Sequence, residues 1–176
     1  LDKRRDEFLV VGEDKLHKYS PKYASIMEKV LSSKGLKFIY TEYKTSEGIG
    51  ILSKVLKANG YCPFSIKKPK NGEWELDILE EDMSKPKYAV WSGDEESDII
   101  LRIYNNQIDT LPDKLRRQIT SIFPTPDNMR GKILEVLMTT KQGAEGLNTR
   151  NVRQVHVVEP YWNPVRLDQV IGRAVR

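Results

Sequence analysis

The sequence predicts an α/β fold: a mainly parallel sheet covered by helices on both faces, with a β-hairpin insertion. Three observations predict it. Short apolar runs alternate with amphipathic helical patterns at the spacing of β–α–β units. One run, Ile133–Thr140 (ILEVLMTT), is nearly continuous in apolar residues, as a strand buried on both faces must be. Asn71-Gly72 stands between two extended runs, a strong short-range signal for a hairpin.

Taken in order, Ser20-Pro21 opens a helix, as a cap followed by proline at the first helical position. Ile26, Met27, Val30 and Leu31 repeat at helical spacing, and Gly35 closes the pattern. Leu36–Thr41 follows as a short strand. The next helix runs from Ser46 to Asn59, with Ile49, Leu52, Val55 and Leu56 on one face. Residues 61–86 differ in kind and read as a hairpin or arm, with Trp74, Leu76 and Ile78 alternating along its second strand. Its strands are short and its apolar face small, so the fold is expected not to need it. Lys67, Lys68 and Lys70 on its first strand form a basic patch suited to a phosphate backbone or an acidic partner, or a plain solvated loop. Lys87–Trp91 is a third core strand, and a helix follows from about Asp94 to Tyr104. Residues 105–131 are polar, with one short helix at Lys114–Ile122. After Ile133–Thr140 come a short helix near Gly143–Leu147, a strand at Val152–Val158, a loop at Glu159–Trp162 and a last helix from Asn163-Pro164.

The bulk properties narrow the class. The chain has 176 residues, 39% of them apolar and 31% charged, which suits one globular domain. No apolar run reaches the ~20 residues of a membrane span, and the charged opening LDKRRDEFLV is not a signal peptide. Leu1 in place of Met, and an end at Arg176 inside a helical pattern, suggest a piece of a longer protein. The lone cysteine, Cys62, excludes an internal disulfide and a cysteine-based zinc site. A net charge of +4 is compatible with a phosphate backbone without arguing for one.

In a parallel sheet, binding loops lie at the carboxyl ends of the strands, here Thr41, Gly93, Thr140 and Glu159. The loop after Thr140 reads KQGAEGLN. Its small residues let backbone approach a ligand, and a helix starting there offers free N–H groups to a phosphate. An ordinary tight strand-to-helix connection would look the same. On the last helix, Arg166, Gln169, Arg173 and Arg176 share one face, while Leu167, Ile171 and Ala174 share the other. Arginines without lysine favour bidentate contacts to phosphate over a merely solvated face.

These residues resemble a known family. TTKQGAEGLN (Thr139–Asn148) is similar to motif V of superfamily 2 helicases, and QVIGRAVR (Gln169–Arg176) fits their motif VI pattern Gln-x-x-Gly-Arg-x-x-Arg at every specified position. FIYTEY (Phe38–Tyr43) resembles motif IV, and YAVWSG (Tyr88–Gly93) the strand and glycine that follow it. The stretch NVRQVHVVEPYWNPVRLDQ is particularly similar to helicases of large cytoplasmic DNA viruses, including poxvirus-type transcription ATPases; EPYWNP is also similar to the Trp-Asn-Pro segment of Swi/Snf-type translocases. Residues 61–86 resemble nothing identified.

The resemblance implies the C-terminal, RecA-like lobe of a three-layer motor, spanning 20–176 behind a leader at 1–19, with 61–86 as an insertion. Arg173 and Arg176 match the motif VI arginines that reach the γ-phosphate, the second being the arginine finger. Gln169, Gly146 and Asn148 match positions beside the nucleotide; many relatives carry aspartate where Asn148 stands. Thr140, and more weakly Thr41, match threonines that bind a backbone phosphate of the tracked strand. The implied cofactors are ATP and Mg²⁺, held mainly by an N-terminal lobe, because this sequence has no Gly-x-x-x-x-Gly-Lys-[Ser/Thr]. Asp94-Glu95-Glu96-Ser97 reads as an acidic first helical turn rather than a magnesium box. The chain alone is expected to be inactive. The implied partners are nucleic acid, with DNA favoured over RNA, the N-terminal lobe and the viral transcription machinery; no membrane is implied, and the place of action is the host cytoplasm or the virion. A RecA-like module that binds nucleic acid or a partner without hydrolysis is the alternative. A Rossmann-type cofactor enzyme is opposed by the lack of Gly-x-Gly-x-x-Gly after any strand. His156, Trp74 and Trp91 read as packing residues; Trp162, in a loop beside motif VI, is divided between packing and contact.

Overall fold

The computed structural model describes residues 2–45, 48–70, 72–123, 125–144, 146–160, 165, 168, 169, 171 and 172. Helices α1 (Arg5–Phe8), α2 (Leu16–Tyr19) and α3 (Pro21–Ser32) lead into β1 (Leu36–Thr41) and α4 (Ile49–Ala58). Strands β2 (Cys62–Pro63), β3 (Ile66–Lys67), β4 (Glu75–Leu76) and β5 (Lys87–Trp91) precede α5 (Glu95–Tyr104) and α6 (Asp113–Ile122). Then come β6 (Val136–Thr140), α7 (Lys141–Ala144) and β7 (Val152–Val157). Five strands form one sheet in the order β2-β5-β6-β1-β7, with every pairing parallel; β3 and β4 form a separate antiparallel pair. The expected α/β architecture, parallel sheet and hairpin are all present.

Two apolar layers follow from the two-residue period of a strand. Leu36, Phe38 and Tyr40 of β1, Ala89 and Trp91 of β5, and Leu137 of β6 pack with α5 and α6. The alternate residues Ile39, Tyr88, Val136 and Met138 pack with α3 and α4. All six residues of β1 are buried, as a central strand requires.

Local chemistry sets the helix starts. The Ser20 hydroxyl accepts from Tyr23 N at 3.5 Å, with Pro21 beside it. Asp94 and Ser97 form a reciprocal capping box on α5, so the acidic run there is a helix cap as the sequence indicates. The helix α4 buries Ile49, Leu52, Val55 and Leu56, the expected face. In α3 the buried face is Tyr23, Ala24, Met27 and Val30, which leaves Leu31 outside.

Two segments are more integrated than their composition suggests. The leader docks on the α3–α4 layer: Leu9 and Leu16 are buried, and Asn59 holds its backbone through Val11 N (3.0 Å) and Leu9 O (2.9 Å). Within 61–86, Cys62–Pro63 is the edge strand of the main sheet, paired with Lys87 and Tyr88. Phe64 and Ile66 are buried in the main core, and Trp74, Leu76 and Ile78 pack against it. Gln118 of α6 accepts from Leu76 N at 2.9 Å, and Lys114 pairs with Glu75 at 2.5 Å. The hairpin is therefore a lid over α6, not the dispensable arm expected; its small apolar face is shared with the core instead of standing alone. Its loop is also longer than a two-residue turn. Lys67 pairs with Glu75, and Gly72 N returns to Pro69 O at 2.9 Å; Asn71 lies outside the described residues.

The polar stretch after α5 hides a second device. Asn128 is fully buried, donates to the carbonyls of Tyr104 (3.2 Å) and Leu134 (3.0 Å), and accepts from Ile133 N and Leu134 N at 2.9 Å each. It ties the end of α5 to the entry of β6 with its amide satisfied.

Candidate functional site

At the carboxyl edge of the sheet, Thr41 is in register with Thr140, and Trp91 with Thr139. The buried Thr139 hydroxyl donates to Trp91 O at 3.1 Å, joining the ends of β5 and β6. Thr140 is half-buried and Lys141, the first residue of α7, is exposed. Gly143 passes so close that a Cβ there would lie 2.3 Å from Thr139 Oγ1 and 2.8 Å from Trp91 O. This glycine serves helix-to-strand packing. Gly146 differs: it is exposed, at φ +86°, with nothing within 4 Å of a Cβ, so its backbone is open to a ligand. Trp91 packs as expected, but its indole N–H is buried without a partner among the described residues.

The Thr41 expectation needs correction. Thr41 is fully buried, and its hydroxyl donates to Glu159 Oε2 at 2.7 Å while accepting from Tyr43 N at 3.3 Å. In this arrangement its hydroxyl is covered and already engaged. The cause lies at the end of the β1–β7 ladder. Val158 N donates to Tyr40 O (2.9 Å), and the next donor, Glu42 N, meets the Glu159 carboxylate (3.0 Å) in place of a backbone carbonyl. Lys22 approaches the same carboxylate at 3.4 Å. Gly48 closes the loop beneath: a Cβ there would lie 1.8 Å from Tyr43 O.

Asn148 belongs to the opposite edge. It is exposed, and its carbonyl accepts from Asn105 Nδ2 at 2.8 Å, while Arg150 N donates to Asn105 Oδ1 at 2.8 Å. Asn105 caps α5, which has descended about 15 Å from the carboxyl edge at 1.5 Å per residue. A polar hollow of about 310 Å³ opens there, lined by Asp98, Arg102, Asn105, Asn148 and Arg150 among others. The structure thus separates Thr140 from Asn148. Gln169 is exposed in the last helix, and so are Val165 and Ile171, the latter expected on a packed face. Arg173 and Arg176, with Trp162, Arg166 and Leu167, lie outside the described residues.

His156 is half-buried in β7 beside Gln154 (3.0 Å), where burial and then Lys29 and Lys37 hold its pKa below the ordinary 6.5. That is a packing histidine, as the sequence indicates. Lys37 and Lys87 are buried at the starts of β1 and β5. Lys37 pairs with Glu135; Lys87 donates to Met83 O (2.6 Å) and Lys85 O (2.8 Å), and burial lowers its pKa. Among the described residues, no cluster of His, Cys, Asp or Glu is placed to hold a metal ion, and no helix is long and apolar enough to cross a membrane. On the hairpin, Lys67 is paired with Asp77 and Lys68 with Glu95, each at 3.0 Å, so its basic patch is largely spent internally.

Sequence reasoning placed Glu159 at a strand end without its bond to Thr41, and missed Asn105 and Asn128. A carboxylate one position before Pro160 was the visible signal for the first; nothing in the composition marks the two asparagines.

Residues 95–176 match the helicase conserved C-terminal domain. Joined to a five-stranded parallel sheet with helices on both faces, that match likens the second half of the chain to the C-terminal, RecA-like domain of helicases. A protein of Acanthamoeba polyphaga mimivirus, named as an ATP-dependent RNA helicase, is 29% identical over 171 residues, covering 97% of this chain and 24% of that protein. A termination factor NPH-I homolog of African swine fever virus is 29% identical over 163 residues, covering 89% and 23%. A protein of Invertebrate iridescent virus 3, named as a helicase, is 25% identical over 166 residues, covering 92% and 14%. The chain therefore spans about a quarter or less of the length of these relatives. No solved structure matches it. The resemblance to helicases of large DNA viruses is borne out.

Proposed function

We propose that the chain is the second motor lobe of an NTP-dependent helicase or translocase acting on nucleic acid, DNA in preference to RNA, in viral transcription. The observation that carries this reading is the course of Thr139–Asn148. It leaves the carboxyl edge at Thr140, passes Gly146 with open backbone, and reaches the hollow at Asn148 on the other edge. One segment thereby borders two ligand positions. The Thr140 hydroxyl binds a backbone phosphate of the tracked strand. Gly146, Asn148 and Gln169 border the nucleotide. Arg173 and Arg176 enter from motif VI and neutralise charge on the transferring phosphoryl group, which needs positioning and cations more than covalent help. Mg²⁺, bound with ATP by carboxylates of an N-terminal lobe, supplies further charge neutralisation. Because the arginines sit on a separate lobe, hydrolysis depends on lobe closure, which couples it to movement along the strand. The relatives' names support the ATP dependence and the link to transcription. The host cytoplasm or the virion is the proposed place of action.

The test uses the full-length protein that carries this lobe. Arg176→Ala lowers nucleic-acid-stimulated turnover by roughly 10³–10⁵ while ATP binding stays near wild type. Turnover near wild type would remove the finger assignment and pass it to Arg173. Wild-type protein that binds nucleic acid without hydrolysing ATP would favour the non-hydrolysing module instead.

A further inference from the structure

We propose that Tyr43 stacks on a base of a single nucleic-acid strand, with Lys44 and Lys141 taking the flanking phosphates. The inference deepens the nucleic-acid reading above and rests on it.

Tyr43 is 50% exposed at the carboxyl edge, two residues beyond Thr41. An exposed aromatic is ordinary by itself; its support is not. The Tyr43 N–H donates to the buried Thr41 hydroxyl (3.3 Å), and its carbonyl accepts from Ile49 N (3.1 Å). Thr41 is in turn held by Glu159, and Gly48 packs against the Tyr43 carbonyl. The backbone is fixed on both sides while the ring faces water. A fixed, solvated ring loses little entropy on binding, which favours a stacking platform.

The charges nearby suit a polyanion. Lys44 follows Tyr43, and Lys141 follows Thr140, whose strand position is in register with Thr41. Both lysines are exposed. Among the described residues, the carboxylates at these strand ends are engaged: Glu42 accepts from the Tyr40 hydroxyl (3.0 Å), and Glu159 accepts from Thr41, Glu42 N and Lys22. Thr140 lies one sheet spacing, about 5 Å, from Thr41, and Tyr43 follows two residues beyond Thr41 at the same edge. The occupant is single-stranded, because only an unpaired, splayed base offers its face to a side chain at a sheet edge.

The experiment measures binding of the full-length protein to a fluorescent oligothymidylate and to an abasic strand of equal length, by anisotropy. Tyr43→Ala weakens oligothymidylate binding roughly 5- to 100-fold, Tyr43→Phe changes it less than about twofold, and neither alters the abasic strand. Melting temperatures stay at wild type, since the ring is exposed. An equal loss on both strands, or unchanged oligothymidylate affinity in Tyr43→Ala, would overturn the proposal. Wild-type protein that binds neither strand would overturn the nucleic-acid reading beneath it.

Discussion

Replacing Ile66 by alanine tests how the hairpin belongs to the lobe. Ile66 is 4% exposed in the same apolar cluster as α5 and α6, with Trp74, Leu76 and Ile78 packed against it. Truncating a buried isoleucine to alanine costs about 2–5 kcal/mol, part transfer and part cavity. For a chain of this length that lowers the melting temperature by roughly 4–20 °C. Replacing residues 65–79 with a short Gly-Ser linker costs more, because α6 also loses the bonds from Gln118 and Lys114. Lys70→Ala, at the exposed tip, shifts the midpoint by no more than about 1 °C. Thermal denaturation followed by circular dichroism reads all three. A melting temperature unchanged by both Ile66→Ala and the linker would show that the hairpin is an independent arm and that its burial against α6 is wrong.

Two further outcomes follow from packing and titration. His156 has its pKa lowered by burial, then by Lys29 and Lys37, so the unfolded chain binds its proton more readily. Stability contributed by neutral His156 is complete above the unfolded value near 6.5 and falls as pH drops through the lower folded value; urea titrations from pH 7.5 to 5 show that slope, and His156→Gln flattens it. An identical slope in both proteins would assign the loss elsewhere. Gly143→Ala forces a Cβ against Thr139 Oγ1 and Trp91 O, and lowers stability by about 1–3 kcal/mol, measured by chemical denaturation. A neutral effect would mean that α7 moves aside freely.

The sequence revealed most of the frame because its strands are central. Leu36–Thr41 and Lys87–Trp91 are apolar runs bounded by helix caps and positive-φ glycines, and both were delimited correctly. What was hidden depends on tertiary partners. Nothing local tells that Trp74 and Leu76 share their apolar face with α6, or that Leu9 and Leu16 cover α4. Thr41 shows the same limit inside a motif. Its type and position match a phosphate-binding threonine, but the neighbouring ladder ends one residue early, and Glu159, two residues beyond β7, takes the hydroxyl. A motif names residue types; the register of the adjoining strand decides which side chain reaches water.

That displacement from Thr41 to Tyr43 changes how the edge works. Thr140 and Lys141 lie at the end of β6, while Tyr43 and Lys44 follow the neighbouring end of β1, so side chains of different chemistry stand at adjacent strand ends. The bond from Thr139 to Trp91 fixes the first set, and the chain Tyr43–Thr41–Glu159 fixes the second. Glu159 also stands at the root of the segment that leads to Gln169 and the motif VI arginines. The carboxylate that holds Thr41 beneath Tyr43 thus precedes that segment in the chain. On the proposed function, Asn148, held by Asn105, stands at the other edge from the strand contact. On the proposal made above, a strand gripped at Tyr43 and Thr140 favours one geometry of the β1–β7 ends. Any preference of hydrolysis for that geometry makes turnover depend on the strand, with no further moving part in the domain.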